Sequence, residues 1–279
     1  MLIPFTKMQG AGNDFVVFDA VSQRVDLTPE RVRRIARRRL GVGCDQVLVV
    51  APTDRSDADF RVAIYNADGS QAEHCGNGLR CIARFVRDRG LSGKDAVTMA
   101  TLAGMIQPRI ETDGQVTIDM GVPEFDPAKV PFEADTQQLV YDLDIGGESI
   151  AVSVLSLGNP HAVQLVDELD DSLVAQQGPL IENHPRFPNR VNVGFMKILN
   201  PRRLRLRVHE RGVGETLACG SGATAAVVAG CWRELLETRV DVDVPGGSLT
   251  VSWAGEGQPA YLKGPAVATF EGNIDLDRL

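Results

Sequence analysis

Several features that define other classes of protein are missing from this chain. No apolar run approaches the roughly 18 residues that a membrane-spanning helix needs. The N-terminal MLIPFTKMQGAGNDF lacks the basic, apolar and small-residue order of a secretory signal. The net charge is −8, which argues against a nucleic-acid partner. These absences predict a cytoplasmic protein that binds neither membranes nor nucleic acid.

Cysteine is scarce, and its spacing does not suggest a structural role. The 279 residues contain five cysteines, an odd number in a chain too long to depend on disulfides. No C-x-x-C pair occurs, and His74 and His209 are single histidines of the kind usually found in packing or at the surface. We therefore expect reduced thiols and no metal site.

The chain contains one motif twice. Each copy has an alternating strand-like run, a glycine-containing turn, a cysteine, Gly-x-Gly and a helical segment rich in small residues. The residues that coincide at an offset of about 144 positions are Arg61 with Arg205, Cys75 with Cys219, Gly76 with Gly220, and Gly78 with Gly222. Two polar landmarks recur at a nearly equal offset, Asn13 with Asn159 and Gln46 with Asn192. This order indicates an internal duplication.

The repeat predicts an α+β fold of two pseudo-symmetric domains. Short strands and few helices favour a mostly antiparallel or mixed sheet curled around one central helix in each domain. The Pro-rich segment at 122–131 marks the boundary, giving domains 1–120 and 121–264. Residues 265–279 have no counterpart at the end of the first half, and we expect them to join the first domain.

Three interpretations of the cysteine motif fit the sequence poorly. A cysteine is often a small buried hydrophobe, but two at matching positions before Gly-x-Gly argue against packing alone. Residues 220–225 formally fit the dinucleotide fingerprint G-x-G-x-x-A. However, the strand before them alternates, and eight residues separate Glu210 from Cys219. Two cysteines so far apart also do not match structural zinc spacing.

A fourth interpretation follows from thiol chemistry. A cysteine at a helix N-terminus experiences about half a positive charge, which is expected to lower its pKa. Two such sulfurs facing each other, one as thiolate and one as thiol, would form a base and an acid on opposite faces of one carbon. The Gly-x-Gly amides would hold the attached carboxylate and stabilise charge developing on it. This arrangement would invert a stereocentre.

A series of short motifs runs along the chain from end to end. They are KMQGAGNDF at Lys7–Phe15, GCDQ at Gly43–Gln46, NADGS at Asn66–Ser70, HCGNGLRC at His74–Cys81, GNPH at Gly158–His161, RVNV at Arg190–Val193, HERGVGET at His209–Thr216 and ACGSG at Ala218–Gly222. In these motifs and their order, the chain resembles the diaminopimelate epimerase family.

The resemblance implies a function and a set of site residues. Members of this family interconvert LL- and meso-2,6-diaminopimelate, in lysine and peptidoglycan precursor biosynthesis, without pyridoxal phosphate. It implies Cys75 and Cys219 as the acid–base pair, and His161 and Glu210 as groups that tune their pKa values. It also implies a homodimer with Phe270 near the contact. The implied substrate-binding residues are Asn13, Gln46, Asn66, Gly76, Asn77, Asn159, Asn192, Glu210, Arg211, Gly220 and Ser221.

Two other functions are compatible with the same residues. The chain could be a related two-cysteine racemase acting on another amino acid, or a non-catalytic redox or binding descendant. We expect an isomerase without a cofactor, because none of the five lysines has the context of a Schiff base. Cys44, Cys81 and Cys231 are interpreted as packing residues.

Overall fold

A computed structural model describes residues 2–72 and 75–278, so His74 lies outside the described residues. The chain forms two compact units. The first is Met1–Ile118 with Gly264–Leu279, and the second is Asp119–Lys263. The predicted division lay between residues 120 and 121, and here it falls after Ile118. The C-terminal segment belongs to the first unit.

The N-terminal part of the chain forms short strands around two helices. In order, these elements are β1 (Leu2–Gly10), β2 (Asn13–Asp19), α1 (Pro29–Ala36), β3 (Gln46–Ala51), β4 (Phe60–Asn66), β5 (Gln71–Ala72), α2 (Gly76–Asp88), β6 (Met99–Thr101), β7 (Gly104–Ile106), β8 (Arg109–Ile110) and β9 (Val116–Asp119).

The rest of the chain begins with one additional strand and then repeats this arrangement. The elements are β10 (Tyr141–Ile145), β11 (Glu148–Ser156), β12 (Pro160–Leu165), α3 (Asp171–Glu182), β13 (Asn192–Asn200), β14 (Arg203–Glu210), β15 (Gly214–Thr216), α4 (Gly220–Trp232), β16 (Arg239–Val244), β17 (Gly247–Trp253), β18 (Ala260–Gly264) and β19 (Val267–Asp275).

Both units build their sheets in the same strand order. The first runs β19-β1-β2-β3-β4-β6-β7, and the second runs β10-β11-β12-β13-β14-β16-β17 and continues to β18. In each sheet the third and fourth strands are parallel, and the fourth and fifth are antiparallel. Strand β19 therefore takes the place in the first unit that β10 takes in the second. The duplication therefore includes this edge strand, although the first unit takes it from the C-terminal end of the chain and the second unit takes it from the segment before β11.

The strand register also repeats. Phe15 lies opposite Gln46 in the β2–β3 pair, and His161 lies opposite Asn192 in the β12–β13 pair. His161 follows Phe15 in the sequence by the same number of positions that separates Asn192 from Gln46. Because register fixes which side chains share a face, the predicted landmarks occupy equivalent places in the two sheets.

Helices α2 and α4 form the centre of their units. Helix α2 packs against β1, β2 and β3, and its Leu79 and Ile82 are fully buried. Helix α4 packs against β11, β12, β13 and β17, and its residues from Ala223 to Ala229 have no exposed surface. A helix that is apolar on every side must be surrounded by protein. Each unit is therefore a mixed sheet around one central helix, which confirms the predicted fold class.

The second glycine of each Gly-x-Gly has a packing role. A Cβ added to Gly222 would lie 2.9 Å from a methyl carbon of Val208, which is too close for a real contact. A Cβ added to Gly78 would lie 3.3 Å from Leu48 and 3.4 Å from Phe15. Hence these two glycines let each helix start close to its sheet, and ligand access is not needed to explain them. No helix in the described chain is long and apolar enough to cross a membrane.

Candidate active site

The first half-site surrounds the N-terminus of α2, where Cys75 is the capping residue. Its Sγ accepts a hydrogen bond from the backbone N–H of Gly78 at 3.4 Å. The thiol donates to Oδ1 of Asn13 at 3.8 Å, and the side-chain amide of Asn77 donates to the same oxygen at 3.4 Å. One helix end thus brings together three residues singled out in the sequence.

Gln46 and Asn66 lie side by side on neighbouring strands of the same unit. They are opposite each other in the β3–β4 register, and Nε2 of Gln46 donates to Oδ1 of Asn66 at 2.9 Å. Oε1 of Gln46 is buried and has no hydrogen-bond partner among the described residues. Buried acceptors without a partner are rare in folded proteins. An N–H group of a ligand would satisfy this oxygen.

The second half-site surrounds the N-terminus of α4, which Cys219 caps. Its Sγ accepts a hydrogen bond from the N–H of Gly222 at 3.4 Å. Oγ of Ser221 lies 3.5 Å from this sulfur and accepts from Nδ2 of Asn159 at 3.3 Å. Oδ1 of Asn159 in turn lies 3.0 Å from Nε2 of His161. A thiol, a hydroxyl, an amide and an imidazole therefore form one continuous chain of polar contacts.

His161 is neutral in this chain of contacts. Its side chain is 1% exposed, and burial, assisted by the nearby charge of Arg211, lowers its pKa to about 3. Because Oδ1 of Asn159 can only accept, we assign the imidazole proton to Nε2. The imidazole thus orients the Asn159 amide without adding a charge beside the thiol.

Asn192, Glu210 and Arg211 gather near the end of β14. The backbone N–H of Arg211 donates to Oδ1 of Asn192 at 3.1 Å, and its Nη1 donates to the carbonyl of Asn189 at 3.1 Å. Oε1 of Glu210 accepts a hydrogen bond from Oγ1 of Thr216. The second unit therefore supplies both a cation and a carboxylate close to its half-site.

The predicted lowering of the thiol pKa is wrong for Cys219. This residue is 5% exposed, and burial raises its pKa far above the ordinary value. The negative charge of Glu210 raises it further, whereas hydrogen bonds with Ser221 and the N–H of Gly222 only partly oppose the change. Desolvation disfavours any charged form, and here it outweighs the helix N-terminus. Burial and the charge of Glu210 therefore favour the protonated thiol at Cys219.

Two charged residues missed by the sequence analysis lie directly behind the first half-site. Oδ2 of Asp45 accepts from Nδ2 of Asn13 at 2.6 Å. Nη2 of Arg80 donates to Oδ1 of Asn77 at 2.9 Å. Both residues fall inside the motifs that carry the family resemblance, but their charged type alone did not distinguish them from surface residues.

Glu182, at the end of α3, was also missed, and it supports the turn that carries Arg211. Its carboxylate accepts from the backbone N–H of Gly212 at 2.8 Å, lies 2.9 Å from Nε2 of His209 and pairs with Arg190 at 3.2 Å. No motif covers this position. Only tertiary contacts between α3 and the β14 turn could have identified it.

Two of the three remaining cysteines are buried. Cys44 and Cys81 are buried, and burial raises the pKa of each to about 12. Cys231 is half-buried and donates to the carbonyl of Glu237 at 3.0 Å. Within the described ranges, no group of three or more His, Cys, Asp and Glu side chains is placed to hold a metal ion.

Comparison with solved structures defines the class of fold. A hydroxyproline epimerase from Agrobacterium vitis superimposes with a TM-score of 0.68 at 15% identity, covering 98% of this chain and 92% of that one. A phenazine biosynthesis protein from Bacillus anthracis gives a TM-score of 0.66 at 17% identity, covering 98% and 99%. At such low identity the likeness concerns the fold alone. This chain has the two-domain fold that these two proteins share.

Sequence comparison places the chain within that class. The profile of the diaminopimelate epimerase family matches residues 5–125 and 153–269, one segment in each half. A diaminopimelate epimerase from Aromatoleum aromaticum is 56% identical over 99% of this chain and all of its own length. One from Alkalilimnicola ehrlichii is 55% identical over 99% of this chain and all of its own. The chain belongs to the diaminopimelate epimerase family.

Proposed function

We propose that this chain is an isomerase that inverts an α-carbon of diaminopimelate, interconverting the LL and meso forms, with Cys75 and Cys219 as its two acid–base groups. One observation carries the proposal. Each unit caps its central helix with a cysteine sulfur that accepts from the N–H three residues on, at 3.4 Å in both. Relatives more than half identical in sequence are named diaminopimelate epimerase, which supports the choice of substrate.

The helix N-termini supply a site for the carboxylate next to the reacting carbon. The first N–H groups of an α-helix have no intrahelical acceptor, and the helix dipole favours negative charge there. In the proposal, the amides of Gly76, Asn77, Gly220 and Ser221 bind this carboxylate. Their fixed dipoles stabilise the charge that moves onto its oxygens when the α-proton leaves.

The reaction needs two proton transfers and no change in oxidation state. A thiolate takes the proton from the α-carbon and becomes a thiol, while the C–H electron pair spreads onto the carboxylate. The other thiol then gives its proton to the opposite face of the carbon and becomes a thiolate. The two sulfurs exchange protonation states with each inversion, so the reverse reaction uses the same groups in reversed roles.

The difference between the two sulfurs suggests their resting states. Burial and the charge of Glu210 favour the protonated form of Cys219. We therefore assign Cys219 as the proton donor in the resting protein, which leaves Cys75 as the group that takes the α-proton. An additional contribution from desolvation in the bound complex would strengthen every contact to the carboxylate.

The far end of the substrate carries a second carboxylate and a second ammonium. In the proposal, Arg211 and neighbouring amides bind the carboxylate, because a guanidinium can donate two parallel hydrogen bonds to it. The ammonium donates to carbonyl and carboxylate oxygens, for which the buried Oε1 of Gln46 is a candidate. Asn13, Asn66, Asn159, Asn192 and Glu210 would complete the pocket.

Reduced protein incubated with LL-diaminopimelate in D₂O tests the whole proposal. We expect meso product that carries deuterium at the inverted carbon, detected by chiral chromatography and mass spectrometry. Oxidation to a disulfide should stop the reaction, since neither sulfur could then carry a proton. Finding neither meso product nor deuterium would contradict the proposal. Proline and hydroxyproline in parallel incubations test for another amino-acid substrate.

We also propose that the chain works as a homodimer in the cytoplasm, where a reducing environment keeps both sulfurs as thiols. Strand β19 pairs with β1 along one side and forms the edge of the first sheet. It exposes Val267 and Phe270, and an apolar edge strand readily pairs with another chain.

Light scattering after size-exclusion chromatography tests the dimer. Phe270→Asp should shift the mass from that of a dimer toward that of a monomer. Leu102→Asp, at another exposed apolar side chain in the same unit, should leave it unchanged. A wild-type protein that elutes with the mass of a monomer at micromolar concentration would contradict this part of the proposal.

A further inference from the structure

Arg80 is a fully buried arginine inside the central helix of the first unit. It has no exposed surface, and burial lowers its pKa, because a charge removed from water is destabilised. Buried charges are usually paired with an opposite charge. Within the described chain, however, no carboxylate contacts this guanidinium. A buried cation without a carboxylate needs an explanation beyond packing.

The hydrogen bonds of Arg80 lead toward the half-site. Its Nη2 donates to Oδ1 of Asn77 at 2.9 Å, and its Nε donates to the carbonyl of Pro265 at 3.3 Å. Nη1 is buried and has no hydrogen-bond partner among the described residues. The guanidinium is therefore anchored on Asn77, the residue that follows Gly76, while the N–H groups of Nη1 have no partner among the described residues.

A directional series of hydrogen bonds continues from Arg80 to Asp45. Nδ2 of Asn77 donates to Oδ1 of Asn13 at 3.4 Å, and Nδ2 of Asn13 donates to Oδ2 of Asp45 at 2.6 Å. Every donor points from the cation toward the carboxylate. An amide can be flipped in isolation, but here charged groups at both ends fix which atom is the acceptor. In consequence, Oδ1 of Asn13 faces the thiol of Cys75, 3.8 Å away.

The charge of Arg80 also interacts with the sulfurs of Cys75 and Cys81. Negative charge on Cys81 or Cys75 opposes the lowering of the Arg80 pKa by burial. Electrostatic attraction is reciprocal, so the guanidinium favours the thiolate form of each sulfur, and it acts through a medium of low dielectric constant. Cys81 is buried and its pKa is about 12. Cys75 is only half-buried, so its sulfur is less desolvated than that of Cys81 and responds more readily to this attraction.

The second unit has no equivalent of this cation. Thr224 occupies the matching position in α4, and its Oγ1 donates to the carbonyl of Gly220 within the helix at 2.9 Å. In that half the orienting role falls to neutral groups, Asn159 and His161. The two thiols therefore lie in different electrostatic surroundings. A buried cation lies behind Cys75, with Asp45 at the far end of the hydrogen-bond series, whereas the carboxylate of Glu210 acts directly on Cys219.

We propose that Arg80 is a positioning residue for Cys75: it fixes the Asn77 and Asn13 amides that face the thiol, and its charge favours the thiolate. This role makes the duplicated site asymmetric, because the matching position in α4 holds the uncharged Thr224. The proposal rests on the acid–base role given to Cys75 under the proposed function. The alkylation measurement reports on the thiol itself, whether or not the chain has epimerase activity.

The test measures the alkylation rate of each cysteine by iodoacetamide as a function of pH, with peptide mass spectrometry to separate the sulfurs. In Arg80→Gln, the midpoint for Cys75 should move up by about one pH unit, which is about a tenfold slower reaction at neutral pH. Arg80→Lys keeps the charge and should restore most of the midpoint. The matched control Thr224→Val, in α4, should leave both sulfurs unchanged.

A purely structural role for Arg80 gives a different pattern. In that case Arg80→Lys, which cannot reproduce the guanidinium geometry, would shift the Cys75 midpoint as far as Arg80→Gln. That result, or a folded Arg80→Gln with a wild-type midpoint, would overturn the proposal.

If Arg80→Gln does not fold, Asn77→Ser is the second variant. It removes the acceptor that links Arg80 to Asn13 and introduces the residue found at the matching position of α4. We expect kcat to fall about tenfold or more, with the Cys75 midpoint kept within a few tenths of a pH unit, because the charge remains. An unchanged kcat in an active wild-type background would refute the orienting role.

Discussion

The two half-sites share a backbone and differ in their charges. Strand order, the parallel pair at the centre of each sheet and the cysteine cap at 3.4 Å are the same in both units. Around this frame, Phe15 in the first unit corresponds to His161 in the second, and Asn66 corresponds to Glu210. The first unit also holds the buried cation Arg80, where the second has Thr224.

This difference shows what duplication preserves and what it leaves free to change. Two identical half-sites would hold both sulfurs in the same protonation state at most pH values. Inversion of a carbon requires one thiolate and one thiol. In our proposal, the divergence of the surrounding residues separates the protonation preferences of the two sulfurs, while the shared backbone keeps both at helix N-termini.

The largest effect is expected from removing either sulfur. Cys75→Ala and Cys219→Ala should each reduce the rate of epimerisation by about 10³-fold or more, since a positioned acid or base contributes about 10²–10⁴-fold and inversion needs both. The measurement is chiral chromatography of product formed from LL-diaminopimelate. Cys231→Ala, which removes a half-buried thiol outside both half-sites, serves as the control. A loss confined to one of the two variants would show that the halves do not act as a pair.

Neutralising Glu210 should reduce the asymmetry in the second half. The charge of this carboxylate raises the pKa of Cys219, so Glu210→Gln should lower that pKa while leaving it above the ordinary value, because burial remains. Alkylation of Cys219 at mildly alkaline pH should become about three- to tenfold faster, and kcat should fall about a hundredfold.

Glu215→Gln is the matched control for this change. Glu215 is a neighbouring carboxylate that pairs with Arg207, so its neutralisation should leave the alkylation profile of Cys219 as it is in the wild type. Unchanged alkylation in Glu210→Gln would mean that the carboxylate does not control this sulfur.

Local sequence patterns were sufficient to predict the shared frame. The offsets between Cys75 and Cys219 and between Gln46 and Asn192 correspond to equivalent helix caps and equivalent strand register. Caps and alternation depend on a few neighbouring residues, so a sequence expresses them directly. The return of the C-terminal strand to the first unit was indicated only by the lack of a counterpart.

The charges of the site could not be predicted in the same way. The helix N-terminus is a local feature, and it suggested a lowered pKa for Cys219. Burial depends on everything packed around the residue, and it reverses that direction. Likewise, nothing in the spacing of Arg80 distinguished it from the exposed arginines of α1, and Glu182 meets His209 only through folding.

Replacing His161 with its counterpart from the first half tests the neutral imidazole. Unfolded His161 binds a proton below about pH 6.5, whereas the folded residue stays neutral down to about pH 3. Its contribution to stability is therefore lost as the pH falls below about 6.5, with a slope of up to about 1.4 kcal/mol per pH unit. His161→Phe should remove that slope and reduce kcat about tenfold, because Asn159 loses its donor.

Urea unfolding at several pH values between 7 and 4 provides the measurement for this variant. The control is His184→Gln, at a partly exposed histidine of the same unit. A wild-type protein whose free energy of unfolding does not fall more steeply with acid than that of His161→Phe would contradict a neutral buried His161.

The smallest effects on kcat are expected at two carboxylates, one in each unit, that lie outside the proposed set of substrate-binding residues. Asp14 accepts from Lys7 at 2.6 Å and from Arg38 at 2.8 Å. Glu182 accepts from Gly212 and contacts His209. Burial alone would raise both pKa values, but hydrogen bonds outweigh it and lower them. Both carboxylates therefore stabilise the fold above about pH 4, and this stabilisation is lost as the pH falls through their folded-state values.

Asp14→Asn and Glu182→Gln should each lower the free energy of unfolding at pH 7 by about 1–3 kcal/mol, with only a few-fold change in kcat. Asp14→Asn should have the larger effect, because it leaves the nearly buried Lys7 without its carboxylate, whereas Glu182 is held mainly by a backbone N–H and a histidine. Asp57→Asn, at an exposed pair with Arg55, should cause no measurable change. The reverse order of the two main variants would mean that the second unit depends more strongly on its carboxylate. The two units would then differ in how much such a carboxylate contributes to their free energy of unfolding, as well as in the charges around their cysteines.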